Sequence, residues 1–201
     1  MDIFQYIDHY KDETFETKDF NDVDAMIFSF LAYATISTIV KKDKKYTIND
    51  VANQHIKLYS GKDKNIIAVK EANVLLRYIK DCERYKNCLL YDYEFEENDQ
   101  VQFTAFSIEY KKNHVFVTYE GTNAYFSGWK EDLLLAYEFP TLSHKMAISY
   151  LNRHFTFSLK HIIVGGHSKG GNLALVAGMY ANVFVRMKIK KIYLKHLMIM
   201  K

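Results

Sequence analysis

Gly166-His167-Ser168-Lys169-Gly170 sets a serine between two glycines at Gly-x-Ser-x-Gly spacing. A serine hydroxyl attacks a carbonyl only when three needs are met. It must stand clear of its neighbours, face a proton acceptor, and find N–H donors waiting for the oxyanion that its attack creates. A sharp strand-to-helix turn meets the first and third. It holds the serine in a strained backbone conformation, demands residues without bulk two positions to either side, and turns the next N–H towards the reaction. Gly166 and Gly170 supply the space, and Lys169 supplies the N–H. A glycine-rich β-to-α turn with an incidental serine is the plainer reading of five residues, so the flanks decide. A phosphate-binding loop fails on spacing: no Gly-x-Gly-x-x-Gly occurs, and Lys169 is followed by Gly170 rather than by Ser or Thr.

The flanks fit the turn. Ile162-Ile163-Val164-Gly165 reads as a buried strand, and Leu173, Ala174, Val176, Ala177 and Tyr180 recur at helical spacing after the serine. Upstream, residues 88–95, 101–110 and 114–119 alternate or run apolar at period two. Asn98-Asp99 and Lys112-Asn113 are the turns of an antiparallel meander. A helix over 143–154, the elbow strand from His161, the helix after Ser168 and an apolar strand over 188–194 follow. Strand, helix, strand, helix, strand predicts a parallel sheet with helices on its faces, an α/β fold.

Before the sheet, the spacing predicts three helices. The first starts at Asp22, capped by Asn21 or Asp22, with a buried apolar run over 25–40 too short and too rich in Ser and Thr to span a membrane. The second is capped by Thr47 and closed by Gly61, and the third runs from about Lys70. Residues 2–18 show no period and read as a lead-in, and Lys41 to Lys45 as a solvated loop. The 201 residues are 49% hydrophobic and 25% charged, which suits one globular domain. A net charge of +3 argues for no nucleic-acid partner. Cys82 and Cys88 lack zinc or redox spacing, so reduced thiols and neither metal nor cofactor are expected. The acidic start Met1-Asp2 is unlike a signal peptide, and a cytoplasmic protein is expected.

A second stretch, 114–123, ends a strand with Glu120-Gly121-Thr122, and Trp129-Lys130-Glu131-Asp132-Leu133 follows. Together with the elbow this resembles the α/β-hydrolases of the class 3 (fungal-type) lipase branch, where a strand ends in Arg-Gly-Ser/Thr and Trp-x-x-Asp-Leu follows. It looks closest to an uncharacterised bacterial lipase-like family whose elbow also reads Gly-His-Ser-Lys-Gly-Gly-Asn. The resemblance covers residues 20–183 and implies an α/β-hydrolase-like central sheet over 88–183 behind a helical lead-in, 20–85. It implies Ser168 as nucleophile, and the Thr122 and Lys169 N–H groups as the oxyanion hole. It also implies a small-molecule or lipid acyl ester as substrate. Glu120 departs from the family's Arg, so the pairing that Arg makes is absent or reversed. His167 starts on the wrong side of the turn to act as base. Trp129 and Asp132 read equally well as a core aromatic and a helix-start acid.

Such a triad runs Ser, then Asp or Glu, then His. After Lys169 there is no acidic residue, and His196 is the one histidine. The tail from 184 carries six Lys and Arg and no acid, which predicts a truncated copy whose last residues are foreign to the family. An upstream set drawn from His144, His154, Asp92 and Asp132 is the other route to a base. Two expectations follow from different classes. One is a lipase-like serine hydrolase, weak or inactive for want of its acid. The other is a non-catalytic α/β-hydrolase-like fragment or binding module.

Overall fold

The computed structural model describes residues 1–59, 66–122 and 138–195. In chain order these give α1 (Ile3–Tyr10), α2 (Asp22–Phe30), β1 (Tyr46–Thr47), α3 (Ile48–Tyr59), α4 (Ile67–Ile79), β2 (Leu89–Glu97), β3 (Gln102–Lys111) and β4 (His114–Tyr119). Then follow α5 (Leu142–Phe155), β5 (His161–His167), α6 (Lys169–Tyr180), the single turn α7 (Val183–Arg186) and β6 (Ile189–Lys195).

The six strands lie side by side in sequence order. Those from β1 to β4 pair antiparallel, β2, β3 and β4 through short turns and β1 across the helices α3 and α4, while β4, β5 and β6 pair parallel through helical crossovers. Because both faces are covered, alternate residues of one strand enter different cores. In β4, Val115, Val117 and Tyr119 join α5 and α6, and Phe116 joins the N-terminal helices. The fold is therefore α/β. Among the described residues no helix is long and apolar enough to cross a membrane.

The lead-in contains a helix that the period missed. Two turns give too few repeats to register, and α1 is fixed instead by a capping box between Asp2 and Gln5. The apolar run over 25–40 is buried but helical only in part: α2 ends at Phe30, and one 3-10 turn follows at Leu31–Tyr33. Beyond Ala34, Thr35, Ile36, Thr38, Ile39 and Val40 are β-branched and resist the helix. The Thr35 N–H is taken by Asn73 of α4 at 2.9 Å. The lead-in also supplies β1, the edge strand on Leu89 and Leu90. Gly61, the expected close of α3, lies outside the described residues.

One buried network ties the lead-in to the sheet. Asp24 and Arg84 are both buried, and Arg84 Nε and Nη2 donate to the two Asp24 oxygens at 2.9 and 2.7 Å. The Tyr85 hydroxyl adds a third donor to Asp24 at 2.8 Å. The rest of the guanidinium donates to the carbonyls of Thr14, Lys18 and Asp19, pinning the loop between α1 and α2. Five donors are satisfied by fixed acceptors, which is what permits a full charge in the core.

Candidate active site

β5 ends at His167 and α6 begins at Lys169, so Ser168 alone makes the turn. Its backbone sits at φ 56° and ψ −123°, a conformation closed to ordinary side-chain-bearing residues. Such a residue costs about 1–3 kcal/mol and persists only where its surroundings hold it. Here the Gly171 and Asn172 N–H groups donate to the Ser168 carbonyl at 2.9 and 3.3 Å. Ser168 itself is exposed and makes no capping bond from its side chain.

The two glycines are needed because the first turn of α6 is pressed against the end of β4. A Cβ on Gly166 would lie 2.3 Å from the Gly170 carbonyl carbon. One on Gly170 would lie 2.1 Å from the Tyr119 carbonyl oxygen. Gly121 has the same role on the other chain, since its Cβ would fall 2.4 Å from the His167 carbonyl oxygen and 2.0 Å from the Tyr33 hydroxyl. The strand carrying Thr122 thus touches the elbow strand one residue before Thr122, which is half-buried beside the turn. Ser168, Lys169 and Thr122 are brought to one edge of the sheet, at the carboxyl ends of β4 and β5, where α/β folds bind ligands.

Beneath the elbow lies a polar cluster that the residue pattern hid. Lys169 is buried, and its Nζ donates to the Gln102 carbonyl oxygen at 3.1 Å and to Gln102 Oε1 at 3.4 Å. Gln102 Nε2 donates to the Gly121 carbonyl at 3.2 Å. The Glu120 N–H donates to the Thr104 carbonyl at 3.0 Å, and the Thr104 hydroxyl donates to the Glu120 carboxylate. The start of β3 therefore clamps both walls of the site, one through the Lys169 side chain and one through Gly121. Burial pushes the Glu120 carboxyl up to about 7, against the pull of its bonds to Thr104 and Gln102 and of the Lys169 charge. The acid thus follows directly on β4 and the base stands in the elbow.

The histidines are spoken for. The His167 ring turns towards the N-terminal helices, with Nδ1 3.1 Å from the Tyr33 hydroxyl and the ring edge-on to Phe30. His144 is buried at the start of α5: its Nδ1 accepts from the Thr141 N–H at 3.1 Å, which leaves Nε2 to donate to Asn172 Oδ1 at 2.7 Å. That tautomer has no lone pair to offer a serine. His154 stands between Asp92 and Glu94, 3.3 and 2.9 Å away, and Arg153 pairs with the same Glu94. Among the described residues no histidine hydrogen-bonds the Ser168 hydroxyl. Trp129, Asp132 and His196 lie outside the described residues. No group of three or more His, Cys, Asp or Glu side chains placed to hold a metal occurs among the described residues, and both cysteines are buried free thiols.

The sequence pattern of the Mbeg1-like family matches residues 79–196, more than half of the chain. The chain belongs to the Mbeg1-like family. No curated protein and no solved structure matches it. The family match takes in β2 to β6, both elbow glycines, Thr122 and the buried Lys169 cluster. It also runs through the basic stretch from 184, which composition had set apart as foreign. That stretch holds α7 and β6, and β6 pairs parallel with β5 from Ile189 to Lys195. Ile189, Ile192 and Tyr193 pack into the cores while Lys190 and Lys191 are exposed, so a basic strand looked like foreign composition.

Gln102, Glu120 and the side chain of Lys169 are the site residues that sequence reasoning did not use for what they do. A signal existed for two of them: the acid at 120 and the base inside the elbow are opposite charges in segments already placed side by side.

Proposed function

We propose that this chain is a serine acyl-ester hydrolase of α/β-hydrolase type, with Ser168 as nucleophile and a small-molecule or lipid acyl ester as substrate. The observation that carries the reading is the Ser168 backbone. A non-glycine residue held at φ 56° and ψ −123°, between two glycines that no other residue can replace, stores strain for the sake of exposing one hydroxyl. In the reaction, Oγ bonds to the ester carbonyl carbon while its proton leaves to a base. The carbonyl oxygen becomes the oxyanion, and the N–H groups of Lys169 and Thr122 receive it. The positive end of α6 adds to that field. Collapse expels the alcohol and leaves an acyl-serine for water to cleave.

The proton acceptor is the weak point. Among the described residues no histidine is placed to take that proton: His144, His154 and His167 are each bound elsewhere. The test is a fluorophosphonate probe with mass-spectrometric mapping. Labelling at Ser168 that disappears in Ser168→Ala supports a poised nucleophile, and equal labelling of both proteins ends the reading. Absent labelling in a folded protein favours the non-catalytic binding module.

A further inference from the structure

The edge of the sheet opposite Ser168 carries a surface that the catalytic reading leaves unexplained. The loop between α5 and β5 holds Phe157 at 97% exposure and Leu159 at 92%. The turn between α6 and β6 holds Val183 at 51%, Phe184 at 61% and Met187 at 75%. These two segments are one rigid surface. Asn182 Nδ2 donates to Thr156 Oγ1 at 2.7 Å, and Lys188 Nζ donates to the carbonyls of Phe155 and Thr156 at 2.7 and 2.8 Å. Isolated apolar side chains on a surface mean little, but five on adjoining, mutually braced loops mark an interaction site.

Charge says what the site meets. From Phe139 to Lys201 the chain has ten Lys and Arg and no Asp or Glu. Arg186 and Lys190 flank the apolar group and are exposed, and Lys112 is exposed on the β3–β4 turn, which His161 joins through its N–H to the Asn113 carbonyl at 2.8 Å. Three acids on this side are paired with lysines: Glu109 with Lys160 at 2.8 Å, Glu16 with Lys111 at 3.0 Å and Asp22 with Lys191 at 3.0 Å. Apolar tips rimmed by unopposed cations are the chemistry of a peripheral membrane anchor, with the tips in the headgroup boundary and the cations on lipid phosphates. A nucleic acid would use the cations but has no use for Leu159, Val183 and Met187.

We propose that this face docks the protein on an anionic lipid surface, led by Phe157 and Leu159 and held by Arg186, Lys190 and Lys112. Ser168 lies beyond the far end of β5, a seven-residue strand about 20 Å long, so docking leaves the elbow facing away from the bilayer. The proposal therefore stands or falls apart from the hydrolase reading.

The test is co-sedimentation of the whole chain with phosphatidylcholine vesicles, with and without phosphatidylserine. The expected result is binding that requires phosphatidylserine and weakens with salt. Phe157→Ser with Leu159→Ser lowers it at least about tenfold, and Arg186→Glu with Lys190→Glu lowers it about as much. Phe157 and Leu159 bury almost nothing, so the first pair keeps the parental thermal melt and its loss of binding is not a loss of fold. Three results overturn the proposal: no phosphatidylserine-dependent binding, equal binding by the variants, or a parental dimer that the Phe157→Ser, Leu159→Ser pair dissolves. The last would make the face a contact between two copies.

Discussion

Replacing Gly170 by alanine tests the architecture of the site with one methyl group. The new Cβ would lie 2.1 Å from the Tyr119 carbonyl oxygen, 2.9 Å from its carbon and 3.0 Å from the Glu120 carbonyl carbon, whereas ordinary contact begins near 3.4 Å. All three are backbone atoms and cannot rotate aside. The end of β4 and the first turn of α6 must part by about 1 Å, since contacts closer than normal van der Waals separation rise steeply in energy. β4 leads to Thr122, and α6 starts with Ser168 and Lys169, so the separation opens between one oxyanion donor and the nucleophile. A misplacement of about 1 Å costs roughly 10²-fold in rate, close to the loss of one oxyanion donor. The assay is the second-order rate of fluorophosphonate labelling, with Ser168→Ala as the zero. Gly178→Ala is the control: its Cβ meets only side-chain atoms, the nearest being the far end of Ile192 at 2.5 Å, which can swing away. It removes a glycine from a helix interior, worth up to about 1 kcal/mol, and should label at the parental rate with an equal or higher melting temperature. A folded Gly170→Ala protein that labels within about threefold of the parent would refute the claim that this contact sets the site's geometry.

Asp24→Asn should be among the most destabilising single changes, at about 3–5 kcal/mol, because it leaves the buried Arg84 charge uncompensated. For a chain of this size that is a fall of about 6–20 °C by calorimetry, and a change under about 3 °C would show that the pair contributes little. Glu120 is held near 7 in the fold against an ordinary 4.5, so the folded state binds this proton more tightly than the unfolded chain does. Its contribution is complete below about pH 4.5 and is lost as pH rises through 7, on the order of 3 kcal/mol in all. Glu120→Gln should flatten that part of the melting-temperature profile, and parallel parent and variant profiles would place the titration elsewhere. With no histidine of the described residues on the Ser168 hydroxyl, turnover of p-nitrophenyl butyrate should fall about 10⁶-fold short of a complete triad. A Ser168-dependent rate like that of ordinary esterases would mean that a histidine reaches the serine after all.

The elbow was legible because everything that makes it is local. Two glycines two residues from a serine, β-branched residues before and helical spacing after lie within 162–180, and the strained Ser168 backbone is the outcome. The three strands of the meander and the parallel pairing of β4, β5 and β6 follow in the same way from period and order. Tertiary structure decided what depends on partners far away in sequence. Asp24 finds Arg84 across 60 residues, and Lys169 finds Gln102 across 67. Neither is marked by periodicity, because a charged side chain inside a fold is licensed by its acceptors and not by its neighbours in the chain. The histidines show the same limit. As residue types His144 and His154 were equal candidates for a base, and only their ring-nitrogen contacts reveal a helix-capping tautomer and an ion-pair cluster. The sequence names the group that can attack; which proton acceptors it can reach is a matter of distance, and distance is fixed only when the chain has folded.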